Sequence, residues 1–314
     1  MRILIRALGA VALARLLFLP AMPLHAQAVN PAYGIEPRPK TEAELASRFT
    51  PKQIDILETL NRRDRAHLVR ADPPVPGIIV PVSWLDDPLV YSPFPQTWPA
   101  AEPRAKAIVV HQAVQAFGAY ESGRLVRWGP VSTGRKETPT PEGSFNLTWR
   151  ARSRRSTDNE DWLLEWYFNF VNERGVSFHL FDLPGYPASH ACVRLLLRDA
   201  QWLYGWGEQW SLDDSRREVM MPGTPVLILG TYPFGSPPAW LSLDALSVPL
   251  TLPATLALTT VRTPKPLFAA AAADSDRSAS RDSRPPVGRT TRLSQSRTYS
   301  DRPAPPAPAP PRSR

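Results

Sequence analysis

Between residues 105 and 232 the chain runs as short β-branched and aromatic segments separated by turn residues, with one short stretch of helical pattern. AKAIVVHQ (105–112) is apolar and β-branched. AVQAFGAYESGRLVRWGPVSTG (113–134) alternates on both sides of Glu121-Ser122-Gly123, which predicts a hairpin turning there. Residues 144–150, the aromatic run WLLEWYFNF (162–170), residues 176–181 and TPVLILG (224–230) predict further strands, the last of them buried. Asp199 is placed to cap a short helix over AQWLYGW. Strands do not alternate with helices, so a mainly antiparallel sheet fits better than a parallel one. The pattern predicts a mainly β fold, antiparallel and β-sandwich-like, with a short helix.

The flanks read differently. Residues 1–28 carry Arg2 and Arg6, an apolar run, and Ala26-Gln27-Ala28. That is the layout of a secretory signal peptide cleaved after Ala28, so export to the periplasm or cell wall is expected. Arg15 and Pro20 leave the apolar run short of the roughly 20 residues a membrane span needs. Residues 274–314 hold nine Arg, four Asp and one aromatic residue, and end in PAPPAPAPPRSR. So few apolar side chains cannot offset the entropy of ordering, which predicts a disordered tail. The tail supplies most of the formal charge of +8. It suits an anionic cell-wall polymer or membrane surface, or no partner at all; no nucleic-acid partner is expected.

Residues 29–40 read as a Pro-rich linker and 41–84 as a helical preface. Thr41 with Glu44, and Thr50-Pro51 with Gln53, fit two capping boxes. Ile54, Leu57 and Leu60 line one edge of the second helix, with Ile56 just off it. His67 in this preface reads as exposed, and His111 as packed on a strand. Residues 60–81 resemble the end of a LysM-type glycan-binding repeat, in which a helix leads through an Asn to an apolar strand closing on a proline. The other reading is a plain helical preface packed on the main domain. Residues 233–273 read as a linker or a segment over the domain surface, because Pro249 and Pro253 break the uncharged run.

HLFDLPGYPASHACVRL (179–195) contains the only cysteine and two of the five histidines. One cysteine excludes an intramolecular disulfide and a cysteine zinc cluster. Such a thiol is either a small buried hydrophobe or a nucleophile. His179 ends a predicted strand, and Pro184-Gly185-Tyr186-Pro187 turns the chain so that Cys192 returns toward it. Base and nucleophile are then within one loop. Trp202, Tyr204, Trp206 and Trp210 follow as an aromatic group that reads as core rather than as a ligand platform.

Three segments in order make the region similar to the catalytic domain of the L,D-transpeptidases, which remodel peptidoglycan. They are the opening strands ending in Ser132-Thr133-Gly134, the Thr-Pro-x-Gly-x-Phe stretch within 138–147, and the His…Ser-His-Gly-Cys-hydrophobic-Arg signature. The resemblance implies Cys192 as acylated nucleophile, His179 as general base, and Ser189, His190 and Arg194 as pocket-shaping positions that contact the donor peptide. It implies a main-chain carbonyl as the group orienting the base, and neither a metal nor an organic cofactor. The thiolate would attack an L-centred carbonyl of a stem peptide, release D-alanine, and pass the acyl group to an amine. Water as acceptor gives an L,D-carboxypeptidase or amidase instead, and an inactive wall-binding protein is the third reading. Two departures stand out. Ala191 occupies the position before cysteine where glycine is usual, at a cost of about 1 kcal/mol if φ is positive there. Only nine residues separate His179 from Ser189, which tightens the donor pocket.

Overall fold

The structure, a computed structural model, describes residues 31–71, 77–157, 159–246 and 248–256. The signal-peptide stretch 1–28 and the tail 274–314 lie outside the described residues, as does 257–273. Tyr33–Glu36 (β1) and Ile78–Pro81 (β2) pair antiparallel, with Ile35 opposite Ile79. Between them run the helices Glu42–Arg48 (α1) and Pro51–Asn61 (α2) and the single turn Arg65–Leu68 (α3). The presumed linker over 29–40 therefore contains a strand. Four residues set between prolines carry no alternation of their own, and β1 takes its extended form from pairing with β2.

The cap at Thr50 is complete, with Thr50 and Gln53 exchanging side-chain and backbone bonds and Pro51 in the first turn. At Thr41 only half the box forms. Its hydroxyl accepts from Glu44 N–H, while the Glu44 carboxylate accepts from Lys40 N–H. Helix α2 stops where Arg62 turns left-handed at φ 56°. Just before the stop, buried Asn61 donates to Ile79 O (3.0 Å) and to Leu57 O, and accepts from Ile79 N–H (2.8 Å). One amide thus joins helix to strand.

The main sheet contains Lys106–His111 (β3), Ala116–Glu121 (β4), Arg124–Ser132 (β5), Gly143–Asn146 (β6), Arg150–Arg155 (β7), Leu163–Val171 (β8), Val176–Leu180 (β9) and Val193–Leu195 (β10). Helix Leu197–Trp206 (α4) follows, then a separate small ladder of Ser211–Leu212 (β11) and Val219–Met221 (β12), and finally Pro225–Leu229 (β13), which rejoins the sheet. The order is β6-β13-β3-β4-β5-β10-β9-β8-β7. Pairs β3–β13 and β9–β10 are parallel and the rest antiparallel, a mainly β fold as expected. The hairpin turns at Ser122 (φ 44°) and Gly123 (φ 74°), both in the left-handed conformation such a tight turn requires.

The single strand expected over residues 144–150 is two. Strand β6 ends at Asn146 and β7 begins at Arg150, on the opposite edge of the sheet. Four peptide steps span at most about 14 Å, whereas nine flat strands would be about 38 Å wide. The sheet therefore curls until its edges approach, and Phe145 of β6 meets Phe170 of β8 at 5.7 Å.

Both faces of the central strands are covered, which explains their unbroken apolar runs. Ile108, Val110, Phe117, Val131, Phe178 and Val193 pack inside with α4. Val109, Tyr120, Leu125 and Trp128 pack outward against Phe94, Trp98, and Ile56 and Leu60 of α2. Described residues beyond 232 close over this second layer: Trp98 donates to Pro253 O (2.8 Å) and Leu250 N–H to Pro93 O (2.7 Å). Asp199 does not cap α4. The helix starts two residues earlier, and the Asp199 carboxylate instead pairs with Arg127 of β5 (2.7 Å), where burial raises its pKa.

Asn61→Ala leaves the buried Ile79 N–H and C=O unpaired, so unfolding stability should fall by about 2–3 kcal/mol, read from denaturant midpoints. A loss below about 0.5 kcal/mol would mean that the helix–strand junction does not depend on this amide.

Candidate active site

Parallel pairing sets Val193 beside Phe178, Arg194 beside His179 and Leu195 beside Leu180. The strand carrying His179 and the strand following the thiol are therefore neighbours, and residues 181–192 form the crossover between them. Cys192 stands just before β10. Its Sγ lies 3.5 Å from the Ser177 Oγ and 3.8 Å from the Gly175 carbonyl oxygen. His179, Cys192, Ser189, His190 and Arg194 line one cleft of about 30 Å³, rimmed by Trp162 and Phe181. That volume is on the scale of a water molecule.

His179 is 4% exposed. Its Nδ1 lies 2.9 Å from the Leu180 carbonyl oxygen. A carbonyl only accepts, so Nδ1 carries the proton and Nε2 keeps the lone pair. Burial pushes the imidazole down to about 4; the Arg194 charge adds to this and the Leu180 bond opposes it. The imidazole is thus neutral near pH 7, with a lone pair on Nε2 able to accept a proton.

The remaining predicted residues surround this pair. Ser189 is buried; its hydroxyl donates to Cys192 O, and its N–H to Thr133 O (3.0 Å). His190 packs its ring on Trp162, with centroids 5.3 Å apart. Arg194 lies over the Phe181 ring (4.4 Å) and donates to Ala188 O (3.0 Å) and Asp182 O (3.4 Å). Ala191 is at φ 86°, the left-handed side that favours glycine. Its methyl is buried in the inner core and its carbonyl accepts from Thr140 Oγ1 (2.8 Å).

The three motif segments converge here. Gly134 N–H donates to Thr140 Oγ1 (2.8 Å), Thr138 Oγ1 donates to Ser189 O, and Ser132 Oγ donates to Tyr186 O while accepting from Ala188 N–H. A side chain at Gly134 would collide with Thr138 O, at 2.2 Å from its Cβ.

Several contributors carry no signal in a single sequence: Ser177, Trp162, Phe181 and the preface residue Asp64, whose Oδ2 accepts from Leu183 N–H (2.8 Å). His67, read as exposed, is half-buried with Nδ1 2.8 Å from Asp64 Oδ1. The tryptophans are not one group. Trp202 stacks on Trp206 beneath Arg127 and Lys106, and Trp210 packs with Trp149 and Tyr167. A larger cleft of about 390 Å³ lies between α2, residues 86–91 and α4, and includes none of the crossover residues. Among the described residues no group of three His, Cys, Asp or Glu side chains is placed to hold a metal ion.

Residues 105–228 match the family model of the L,D-transpeptidase catalytic domain (YkuD). By that match this stretch is similar to an L,D-transpeptidase catalytic domain. Similar solved structures include an L,D-transpeptidase from Stackebrandtia nassauensis, 23% identical over 46% of this chain and 64% of that one, with a TM-score of 0.36. One from Mycobacterium tuberculosis H37Rv is 24% identical over 40% and 58%, with a TM-score of 0.32. One from Mycobacterium smegmatis is 17% identical over 40% and 59%, also at 0.32. The chain spans less than two thirds of the length of these solved chains. No curated protein matches it.

Within the matched stretch two magnitudes compete at Ala191. A side chain at positive φ costs about 1–2 kcal/mol, while burial of its methyl contributes about 0.8 kcal/mol. Ala191→Gly should therefore raise stability by up to about 1 kcal/mol and leave thiol acylation at least as fast; a net loss of stability would show that the methyl outweighs the strain. The buried imidazole makes a second expectation if it serves as the base. The acid limb of kcat/KM should fall well below the ordinary histidine value of about 6.5. A limb at or above pH 6.5 contradicts a buried, neutral His179.

Proposed function

We propose that the protein is an exported peptidoglycan L,D-transpeptidase working through a Cys192 thioester. The observation that carries this reading is the parallel pairing of β9 and β10, which puts a thiol and a neutral, carbonyl-oriented imidazole into one cleft of a matched catalytic domain. His179 Nε2 takes the Cys192 proton, and the thiolate attacks the L-centred carbonyl of a stem-peptide donor. Backbone N–H groups at the motif loop hold the oxyanion, each worth about 3–4 kcal/mol in sites of this kind. His179 returns the proton to the departing D-alanine. An amine acceptor then attacks the thioester, giving the new amide and freeing the thiol. The signal-like residues 1–28 and the basic residues 274–314 favour action at the anionic cell wall or in the periplasm.

The test is incubation of the protein with a purified tetrapeptide muropeptide, alone and with an amine acceptor, followed by mass analysis. Cross-linked product is expected. Tripeptide alone assigns water as acceptor and makes the protein an L,D-carboxypeptidase; no change in either sample overturns both enzymatic readings. A carbapenem should add to Cys192 in the intact protein and not to Cys192→Ala. His179→Gln should slow that acylation by roughly 10²–10⁴-fold.

A further inference from the structure

The crossover that joins base to nucleophile is held on two sides by different parts of the chain. Its return half, 186–191, is bonded to Ser132, Thr133, Thr138 and Thr140 of the catalytic domain. Its outbound half, 182–185, is bonded to the preface. Asp64 N–H donates to Leu183 O (3.0 Å) and Asp64 Oδ2 accepts from Leu183 N–H (2.8 Å), a paired contact closed at both ends. Arg63 forms an antiparallel bridge with Pro184. Gly185, at φ 90°, lies so close to Arg63 that a Cβ there would stand 2.8 Å from its Nε. Arg63 in turn donates to His67 O (3.1 Å) and Arg70 O (3.2 Å). Leu183 is fully buried, so its backbone groups have to be paired within the protein.

This contact reaches the chemistry in two steps. Next to Leu183, the Asp182 carbonyl accepts from Arg194, the register partner of His179 and a cation that bears on its charge. On the other side, Phe181 lies under the Arg194 guanidinium and edge-on to the His179 ring at 5.9 Å. Freeing the Leu183 turn loosens both supports of the base without removing any group from the cleft.

We propose that Asp64 is a positioning residue of the active site and that residues 31–71 and 77–81 act as part of the catalytic machinery rather than as an independent preface. This rests on the reading of Cys192 as nucleophile and His179 as base. The carboxylate is used at both oxygens, Oδ1 by His67 and Oδ2 by Leu183 and the His67 ring together. Alanine supplies neither acceptor, whereas asparagine keeps one.

The experiment measures imipenem acylation of the full chain by intact mass, separating the limiting rate from the apparent binding constant, with concentrations corrected for titratable thiol. Asp64→Ala should lower the limiting rate at least tenfold with the binding constant within about twofold. Asp64→Asn should recover part of the loss, and Gly185→Ala, which presses on Arg63 from the loop side, should reproduce it. A wild-type limiting rate in both Asp64→Ala and Gly185→Ala overturns the proposal, as does a loss confined to the binding constant. Amide exchange at Leu183 supplies a readout that needs no acylation, and should rise at least tenfold in Asp64→Ala. Should the wild-type chain take up no imipenem on Cys192, the nucleophile reading fails while this exchange still decides the clamp: unchanged protection at Leu183 overturns it.

Discussion

Everything at the site follows from one pairing, the parallel ladder between β9 and β10. In an otherwise antiparallel neighbourhood it forces the chain to leave the end of β9, cross, and re-enter beside the start of the same strand. A parallel connection needs a dozen or more residues, and residues 181–192 are at that minimum. A crossover this short has no slack for a helix. It becomes a tightly stitched loop whose last residue, Cys192, is delivered next to the strand that carries His179. His179 and Cys192 line one cleft because the sheet topology sets β9 beside β10.

The same shortness explains the strain at Ala191. The chain must reverse into β10 within one residue, and φ 86° is the conformation that does it. Its carbonyl is held by Thr140, whose hydroxyl also receives Gly134 N–H, so the backbone there is fixed from the facing segment. The alanine adopts the glycine conformation rather than displacing it. Either outcome at this position was open from the sequence, because composition does not report a dihedral angle.

What could be read in advance was what depends on local pattern. The 121–123 turn, the aromatic strand, the Thr50 capping box and the Cys–His loop all announce themselves within a few residues. What could not be read depends on a partner far along the chain. Strand β1 exists because β2 is there to pair with it. The break between β6 and β7 reflects a sheet that closes on itself, since nothing in SFNLTWR marks the point where one edge is exchanged for the other. Asp199 has the composition of a cap but falls inside the first turn of α4, where its carboxylate pairs with Arg127 of β5. His67 sits on a polar stretch yet is drawn inward by Asp64, which is itself committed to Leu183.

Arg62 explains why the preface sits rigidly enough to matter. It is almost wholly buried, and the partners it finds are not carboxylates. Its guanidinium donates to Thr59 O and Leu60 O at the end of α2 and to Val114 O (2.9 Å) in the catalytic domain, and it faces the rings of Trp128 and Trp240. Burial pushes its pKa down to about 9, which still leaves it charged at neutral pH. The negative end of the helix dipole and two aromatic faces offset part of that cost. A desolvated cation is tolerated only where several acceptors are fixed around it at once. Any displacement of α2 relative to Val114 would strand the charge, so the helix end is held in register with the sheet. Arg63 and Asp64 are the next two residues along the chain, and they inherit that register when they meet Pro184 and Leu183.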